Sequence, residues 1–167
     1  MGMCSYYLID NKIQSFEDSG SLSSTENKSQ SSSILEGQKI LIVDDSPINL
    51  IVAEKTLTKF GAECHRALSA KEGLKVFNKE NLDLILMDLH MPSIDGFKGT
   101  DLIRETNKFQ ESPIPIMAYT TFSYDEVMEG IKEHKLDGYI GKPFTQAQVI
   151  GSIFEVLSLK QQKAKQA

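Results

Sequence analysis

The sequence has no tryptophan, two cysteines and five prolines among 167 residues. Cys4 and Cys64 are too few for a disulfide framework or a metal cage built from cysteines. No apolar run approaches the roughly 20 residues that a membrane span needs, and the N-terminus lacks the basic and apolar regions of a signal peptide. A net charge of −5 argues against a broad nucleic-acid-binding surface. We therefore expect a protein of a reducing, cytoplasmic compartment.

The composition divides the chain near Gly37. Residues 1–36 contain ten serines, and most of the other side chains in this segment are polar or charged. Such a segment buries too little apolar area to offset its chain entropy, so we predict a flexible linker or tail. Its apolar part, residues 6–9, is expected to have no fixed structure. Residues 37–160 are predicted to form one domain, followed by a C-terminal tail at 161–167.

From Lys39 onward, short apolar strands alternate with helical patterns. Strands are predicted to begin near residues 39, 63, 83, 114 and 138, the fourth covering 114–118, and helices to cover 47–60 and about 97–107. Further helices open with the capping boxes Ser69…Glu72, Ser123…Glu126 and Thr145…Gln148, and the last presents Val149, Ile150, Ile153, Phe154 and Leu157 on one side. Alternation without hairpin signals predicts a doubly wound α/β fold with a five-stranded parallel sheet and helices on both faces.

Acidic side chains end two of the predicted strands. Asp44 and Asp45 follow the first strand, and Asp88 follows the third, which Pro92 prevents from continuing. If both strands are central and parallel, the three carboxylates converge on one edge of the sheet and repel one another. An all-oxygen cluster with room for water suits Mg²⁺ better than Zn²⁺ or a full calcium cage. A helix cap beside Pro47 is the alternative role for one of the first two acids, but it does not explain Asp88.

Two more polar side chains follow the fourth and fifth predicted strands. Thr120 comes after residues 114–118, and Lys142 comes after the fifth strand. Taken singly, each suits an ordinary role as an edge hydroxyl or a solvated lysine. Together with Asp88 and a bound Mg²⁺, they form a receptacle for a phosphoryl group, because they neutralise and hydrogen-bond its oxygens.

Four separated motifs carry a resemblance to a known family. They are Ile40-Leu41-Ile42-Val43-Asp44-Asp45-Ser46-Pro47, Leu86-Met87-Asp88-Leu89-His90-Met91-Pro92 with Asp95-Gly96, Pro115-Ile116-Met117-Ala118-Tyr119-Thr120, and Asp137-Gly138-Tyr139-Ile140-Gly141-Lys142-Pro143. In order and spacing they resemble the receiver domains of two-component response regulators, and are most similar to the receivers of hybrid histidine kinases. The resemblance covers about residues 37–160 and implies a flavodoxin-like sheet with strand order 2-1-3-4-5.

The resemblance also implies an acceptor and a metal site. Asp88 would accept the phosphoryl group from a phosphohistidine. Asp45 and Asp88 would bind Mg²⁺ directly, together with the backbone carbonyl of His90. Asp44 would act on the metal through bound water.

Three further residues would respond to the phosphoryl group. Lys142 would pair with the acceptor carboxylate and later with the phosphoryl group, and Thr120 would move to hydrogen-bond a phosphoryl oxygen. Tyr139 matches an aromatic switch position and would turn inward on activation. Two positions depart from the common pattern, since Tyr119 replaces the usual aliphatic residue and Thr121 the usual small one.

Two other function classes fit less well than a phosphoacceptor module. A phosphatase of the haloacid dehalogenase type also uses an aspartate after a strand, but it needs a second acid where this chain has His90. A receiver-like domain that only binds partners usually lacks one of the acids or the lysine, all of which are present here. A dinucleotide-binding domain would need a glycine-rich loop after the first strand, and none is found. We therefore expect no independent enzyme.

The resemblance implies protein partners. They are a sensor histidine kinase or a histidine phosphotransfer protein, and the family also allows a weak dimer through the face made by the fourth helix, fifth strand and fifth helix. No direct nucleic-acid contact and no membrane segment are expected. The domain is expected to be a single-domain regulator or the receiver of a longer kinase, and the Ser-rich segment favours the second.

Overall fold

The computed structural model describes residues 34–166, with side chains through residue 162, and two short strands ahead of them. Those strands, Leu8–Ile9 and Lys12–Ile13, pair antiparallel, although no fixed structure was expected at residues 8 and 9. The rest of the predicted linker lies outside the described residues. No helix within the described ranges is long and apolar enough to cross a membrane.

Five parallel strands form the central sheet, as the sequence predicts. The strands are β1 (Lys39–Val43), β2 (Glu63–Ala67), β3 (Leu84–Met87), β4 (Ile116–Thr120) and β5 (Gly138–Gly141). They lie in the order β2-β1-β3-β4-β5, so β1 and β3 are neighbours near the middle and β2 and β5 form the two edges. The predicted fold class and strand order are therefore confirmed.

Helices connect successive strands and cover both faces. They are α1 (Pro47–Thr58), α2 (Ala70–Lys79), α3 (Gly96–Arg104), α4 (Tyr124–Glu133) and α5 (Gln146–Gln166). Capping side chains fix most of the starts. The hydroxyl oxygen of Ser69 accepts from the N–H of Glu72 at 3.2 Å, and the Glu126 carboxylate accepts from the N–H of Ser123 at 2.8 Å.

The core lies in two layers, one on each face of the sheet. Successive side chains of a strand point to opposite faces, so Leu41 and Val43 pack on one side of β1 while Ile40 and Ile42 pack on the other. All of β3 is buried. This explains why the central strands are continuous apolar runs, whereas the edge strand β2 carries exposed charged residues.

The fourth strand lies two residues later than predicted. We expected residues 114–118, and the strand is Ile116–Thr120. Pro115 has no N–H to donate to the ladder, so pairing with its neighbours begins at the next residue. As a consequence, Thr120 is the last residue of the strand and does not follow it.

The third helix is shorter than predicted. We expected a helix over about 97–107, but α3 ends at Arg104 and a separate single turn covers Asn107–Glu111. Thr106 lies between them, and its hydroxyl oxygen accepts from the N–H of Phe109 at 3.2 Å. A side chain that caps a new turn competes with continuation of the old helix, which explains the break.

Smaller differences concern helix ends and one helix face. The first helix ends at Thr58, not at residue 60, and Gly61 adopts the left-handed backbone that commonly ends helices, with φ +95°. Phe154 is 52% exposed, although its neighbours on the predicted apolar side of α5 are buried. It lies at the border of the stripe, where the turn of the helix carries it towards solvent.

Ordered structure extends beyond both predicted domain ends. Leu35 is fully buried, and its N–H donates to the carbonyl oxygen of Phe60 at 2.9 Å. At the other end, α5 continues past residue 160 to Gln166. The apolar residue before Gly37 therefore belongs to the core, while the limits of the functional domain stay a prediction.

Candidate functional site

Three carboxylates meet at the carboxyl edge of the sheet. Asp44 and Asp45 leave β1 and Asp88 leaves β3, two adjacent parallel strands in which Val43 is paired with Met87. The N–H of Asp88 donates to the carbonyl oxygen of Val43 at 2.8 Å, which fixes the two strand ends together. One oxygen from each acid lies within 4.8 Å of the others. Asp44 and Asp88 are buried, whereas Asp45 is exposed.

Lys142 joins two of these acids. Its Nζ lies 2.5 Å from Asp44 Oδ2 and 3.1 Å from Asp88 Oδ2, and its side chain is only 8% exposed. The segment after β5 is held in place because the N–H of Lys142 donates to the carbonyl oxygen of Thr120 at 2.7 Å. We expected Lys142 to pair with the acceptor carboxylate, and the structure adds a pairing with Asp44.

Burial dominates the acidity of Asp88. Loss of hydration raises its pKa above the ordinary value, while the Lys142 ammonium and the N–H of His90, 3.2 Å from Oδ1, act in the opposite direction. The second oxygen of Asp44 is held differently, by the N–H of Ser46 at 2.8 Å and the side-chain amide of Asn49 at 3.1 Å. Sequence reasoning did not identify Asn49 as part of the site.

Thr120 and Tyr139 are connected through Phe122. Thr120 is fully buried, and its hydroxyl oxygen accepts from the N–H of Phe122 at 3.4 Å. The hydroxyl of Tyr139 donates to the carbonyl oxygen of Phe122 at 2.6 Å. We expect Tyr139 to turn inward on activation, and in this structure its half-buried ring is bonded to the loop that follows β4. Burial and the charge of Glu126 raise the pKa of Tyr139, so the phenol stays a donor.

The mouth of the site carries exposed side chains. His90 is exposed, and its ring packs edge-on against Phe122 with a centroid separation of 5.4 Å. Thr121 is exposed as well. The backbone N–H of His90 donates to Asp88 Oδ1 at 3.2 Å, while its imidazole packs against Phe122.

Gly96, the first residue of α3, packs against the backbone of the acceptor Asp88. A Cβ atom at this position would collide with the carbonyl oxygen of Asp88, so the first turn of α3 lies directly against the acceptor's backbone. The N–H of Gly96 donates to the carbonyl oxygen of Leu89 at 3.2 Å. The sequence predicts a helix that begins next to this glycine, but it does not reveal the close approach to Asp88.

The donor set suits a hard divalent cation. Three carboxylates face one ammonium, so the cluster keeps an excess of negative charge when all are ionised. Every side-chain ligand in the cluster is an oxygen, and the exposed Asp45 leaves the site open to water. These features match Mg²⁺, which prefers oxygen ligands and retains several waters.

Comparison with known proteins gives one consistent result. The family model for the response regulator receiver domain matches residues 40–154. Probable histidine kinase 6 of Oryza sativa subsp. japonica is 33% identical over 138 residues, which cover 72% of this chain and 14% of that protein. Hybrid signal transduction histidine kinase G of Dictyostelium discoideum is 37% identical over 107 residues, covering 63% of this chain and 3% of that protein. The chain thus spans a small fraction of the curated relatives it matches.

Solved structures agree with the family model. The receiver domain of the histidine kinase CKI1 from Arabidopsis thaliana, complexed with Mg²⁺ and BeF₃⁻, has a TM-score of 0.68 at 27% identity, covering 77% of this chain and 95% of that one. The Vibrio cholerae chemotaxis protein CheY4 has a TM-score of 0.67 at 28% identity, covering 71% of this chain and 98% of that one. The fold, the acid cluster and the family model lead to one conclusion: the chain belongs to the response regulator receiver domain family.

Proposed function

We propose that this domain accepts a phosphoryl group from a phosphohistidine on Asp88, as one step of a two-component phosphorelay. The observation that carries the proposal is the meeting of Asp44, Asp45, Asp88 and Lys142 at one edge of the sheet. A carboxylate oxygen of Asp88 would form the new O–P bond while the N–P bond of the donor breaks, and the imidazole leaves with the bonding electrons. Lys142 would then neutralise oxygens of the transferred group.

Mg²⁺ would complete this site. Asp45 and Asp88 would hold it directly with the backbone carbonyl of His90, and Asp44 would reach it through water. When bound, the ion supplies Lewis-acid stabilisation of the charge on the phosphoryl oxygens. The clustering of the three carboxylates within 4.8 Å supports this assignment, as does the Mg²⁺ and BeF₃⁻ complex of the CKI1 receiver domain.

The metal assignment is tested with Asp45→Ala. We expect this variant to lose Mg²⁺-dependent labelling by acetyl phosphate, measured as the mass gain of one phosphoryl group. Without metal, its Tm should rise by about 2–4 °C, because removal of one clustered carboxylate relieves repulsion on the order of 1 kcal/mol. Asp125→Ala, which removes another exposed acid at the start of α4, is the control. Labelling of Asp45→Ala at the wild-type rate, with the same Mg²⁺ dependence, would contradict the assignment.

The donor is proposed to be a protein that carries phosphohistidine, either a sensor histidine kinase or a histidine phosphotransfer protein. One surface beside the site suits such an approach. Ile48, Ile51 and Val52 on α1 and Leu68 after β2 are all exposed, with 72%, 39%, 47% and 48% of their area accessible. Exposed aliphatic side chains next to a reactive group favour contact with an apolar partner face. A weak dimer through α4, β5 and α5 stays a prediction.

We also propose that phosphorylation moves the loop between β4 and α4. A phosphoryl group on Asp88 brings negative oxygens that attract the hydroxyl of Thr120. That hydroxyl now accepts from the N–H of Phe122, whose carbonyl oxygen accepts from Tyr139. A shift of Thr120 therefore changes both hydrogen bonds of Phe122, and through them the position of Tyr139.

The switch is tested by NMR with beryllofluoride and Mg²⁺ as the phosphoryl mimic. Amide resonances of residues 120–132 and 138–144 should shift far more than those of α2, because the Phe122 connection leads to α4 and β5. Thr120→Ala should suppress this distant change while Asp88 remains open to labelling. If the mimic perturbs only the immediate surroundings of Asp88, the domain carries phosphate in a relay and is no conformational switch.

A further inference from the structure

The ring of Tyr119 lies beneath the ammonium group of Lys142. Tyr119 is the penultimate residue of β4 and is 1% exposed. Its ring centroid is 4.3 Å from Lys142 Nζ. The ammonium therefore has the carboxylates of Asp44 and Asp88 as neighbours and an aromatic face as a third. This residue is also the one that departs from the aliphatic residue usual in the family.

An aromatic face differs from an aliphatic side chain in its effect on a cation. The ring quadrupole presents negative charge density on its face, so a cation within about 6 Å of the centroid is attracted, more strongly where water is excluded. Burial, with the negative charges of Asp44 and Asp88, raises the pKa of Tyr119 well above its usual range. The ring therefore stays a neutral phenol, whose face attracts the ammonium at every working pH.

The ring of Tyr119 also packs against the residues that follow Lys142. It packs against Phe144 with a centroid separation of 5.5 Å and an interplanar angle of 52°. The backbone N–H of Lys142 donates a hydrogen bond to the carbonyl oxygen of Thr120, which follows Tyr119 in the strand. Two consecutive residues of β4 thus hold both ends of the lysine, Thr120 at its backbone and Tyr119 at its charged tip.

We propose that Tyr119 is a positioning residue for Lys142, which keeps the ammonium at the acid cluster and directed to the phosphoryl group on Asp88. The proposal rests on the proposed acceptance of phosphate at Asp88. When Asp88 becomes an acyl phosphate, its carboxylate loses its own charge, and Asp44 then competes with the phosphoryl group for the lysine. The face of Tyr119 attracts the ammonium without favouring either oxygen partner. The ammonium can therefore change its hydrogen-bond partner to the phosphoryl group while it stays over the ring.

The test compares Tyr119→Phe with Tyr119→Leu. The phenylalanine variant keeps the aromatic face, whereas the leucine variant keeps only apolar bulk. Met117→Ala lies in the same strand and core layer but is paired with Gly138, four residues before Lys142, and controls for loosening of the core. The measurements are the NMR shifts of the Lys142 side-chain protons, assigned with Lys142→Arg, and the rate of labelling by acetyl phosphate with Mg²⁺.

Wild type and Tyr119→Phe should share an upfield ring-current shift of the Lys142 protons and similar labelling rates. Tyr119→Leu should lose the shift, and its labelling rate and beryllofluoride affinity should fall about 3- to 10-fold, while Mg²⁺ affinity is not weakened. Met117→Ala should keep the shift even where its Tm falls.

Three results would overturn the proposal. They are a wild-type protein without the ring-current shift, a Tyr119→Leu variant that labels at the wild-type rate, and a Tyr119→Phe variant as slow as Tyr119→Leu. The first of these needs no variant, so it remains decisive if Tyr119→Leu does not fold. Failure of the proposed function is a separate result, since wild type itself would then take no label while the ring-current shift would still report the contact.

Discussion

Replacing Asp88 with asparagine should abolish phosphorylation of the domain. The carboxylate is the nucleophile in the proposed transfer, and an amide oxygen is far less nucleophilic, so labelling by acetyl phosphate and Mg²⁺ should fall by at least about 10³-fold. The product in the wild type should be an acyl phosphate, which hydroxylamine cleaves. Intact-mass measurement before and after hydroxylamine treatment checks both statements. Undiminished labelling of Asp88→Asn would place the acceptor elsewhere.

The same variant carries its own test of folding. Because burial raises the pKa of Asp88 in the folded protein, the ionised carboxylate costs stability above that raised pKa, and the cost disappears below the unfolded value near 3.8. Asp88→Asn should therefore have a higher Tm than metal-free wild type at pH 7, and this gain should vanish as the pH falls through that window. If Asp88→Asn loses its label but has a raised Tm, the loss of labelling follows from removal of the nucleophilic carboxylate and not from unfolding. A lowered Tm at pH 7 would contradict the conclusion that burial of the ionised carboxylate costs stability.

Gly96→Ala should damage both stability and labelling, against the normal trend for helices. In an exposed helix, alanine is favoured over glycine by about 1 kcal/mol. Here the new Cβ would collide with the carbonyl oxygen of Asp88, and relief requires α3 or the acceptor backbone to move. We expect a net loss of about 2–3 kcal/mol of unfolding free energy, which corresponds to roughly 5–10 °C in Tm. Labelling should fall about tenfold or more, since the acceptor is displaced.

Lys98→Ala provides the matched control for Gly96→Ala. Lys98 lies in the same first turn of α3 but is exposed, and its Cβ is already accommodated. Its substitution should change stability by no more than about 0.5 kcal/mol and leave labelling as it is. If Gly96→Ala were as stable and as readily labelled as Lys98→Ala, the close approach of α3 to Asp88 would matter neither for stability nor for phosphorylation.

The sequence alone predicts the parallel sheet and the residues that lie at its carboxyl edge. The end of a strand is a local signal. Each apolar run stops at an aspartate that is followed shortly by Pro47 or Pro92, and this pattern places the aspartate side chain at the strand end. The parallel order then brings β1 and β3 together without further information. The two-residue displacement of β4 also has a local cause, because Pro115 has no N–H to donate to the strand ladder.

Contacts between distant parts of the chain could not be predicted in this way. The pairing of Lys142 with Asp44 joins residues 98 positions apart, and the choice between two nearby carboxylates depends on side-chain geometry. The approach of Gly96 to Asp88 and of the Tyr119 ring to the ammonium likewise depends on how elements pack. Periodicity assigns a side chain to a face of the sheet, but it does not say which atom that side chain meets.

The polar edge strand β2 limits how far the sheet can grow. Among the described residues, β2 pairs only with β1, which leaves one row of its backbone N–H and carbonyl groups open to a strand from another molecule. Exposed Glu63 and Arg66, paired with Lys39 and Glu54, would have to lose solvent or partners if a second copy added there. Charged side chains on an edge oppose such addition. Copies crowded together should therefore remain separate five-stranded units and resist aggregation through this edge.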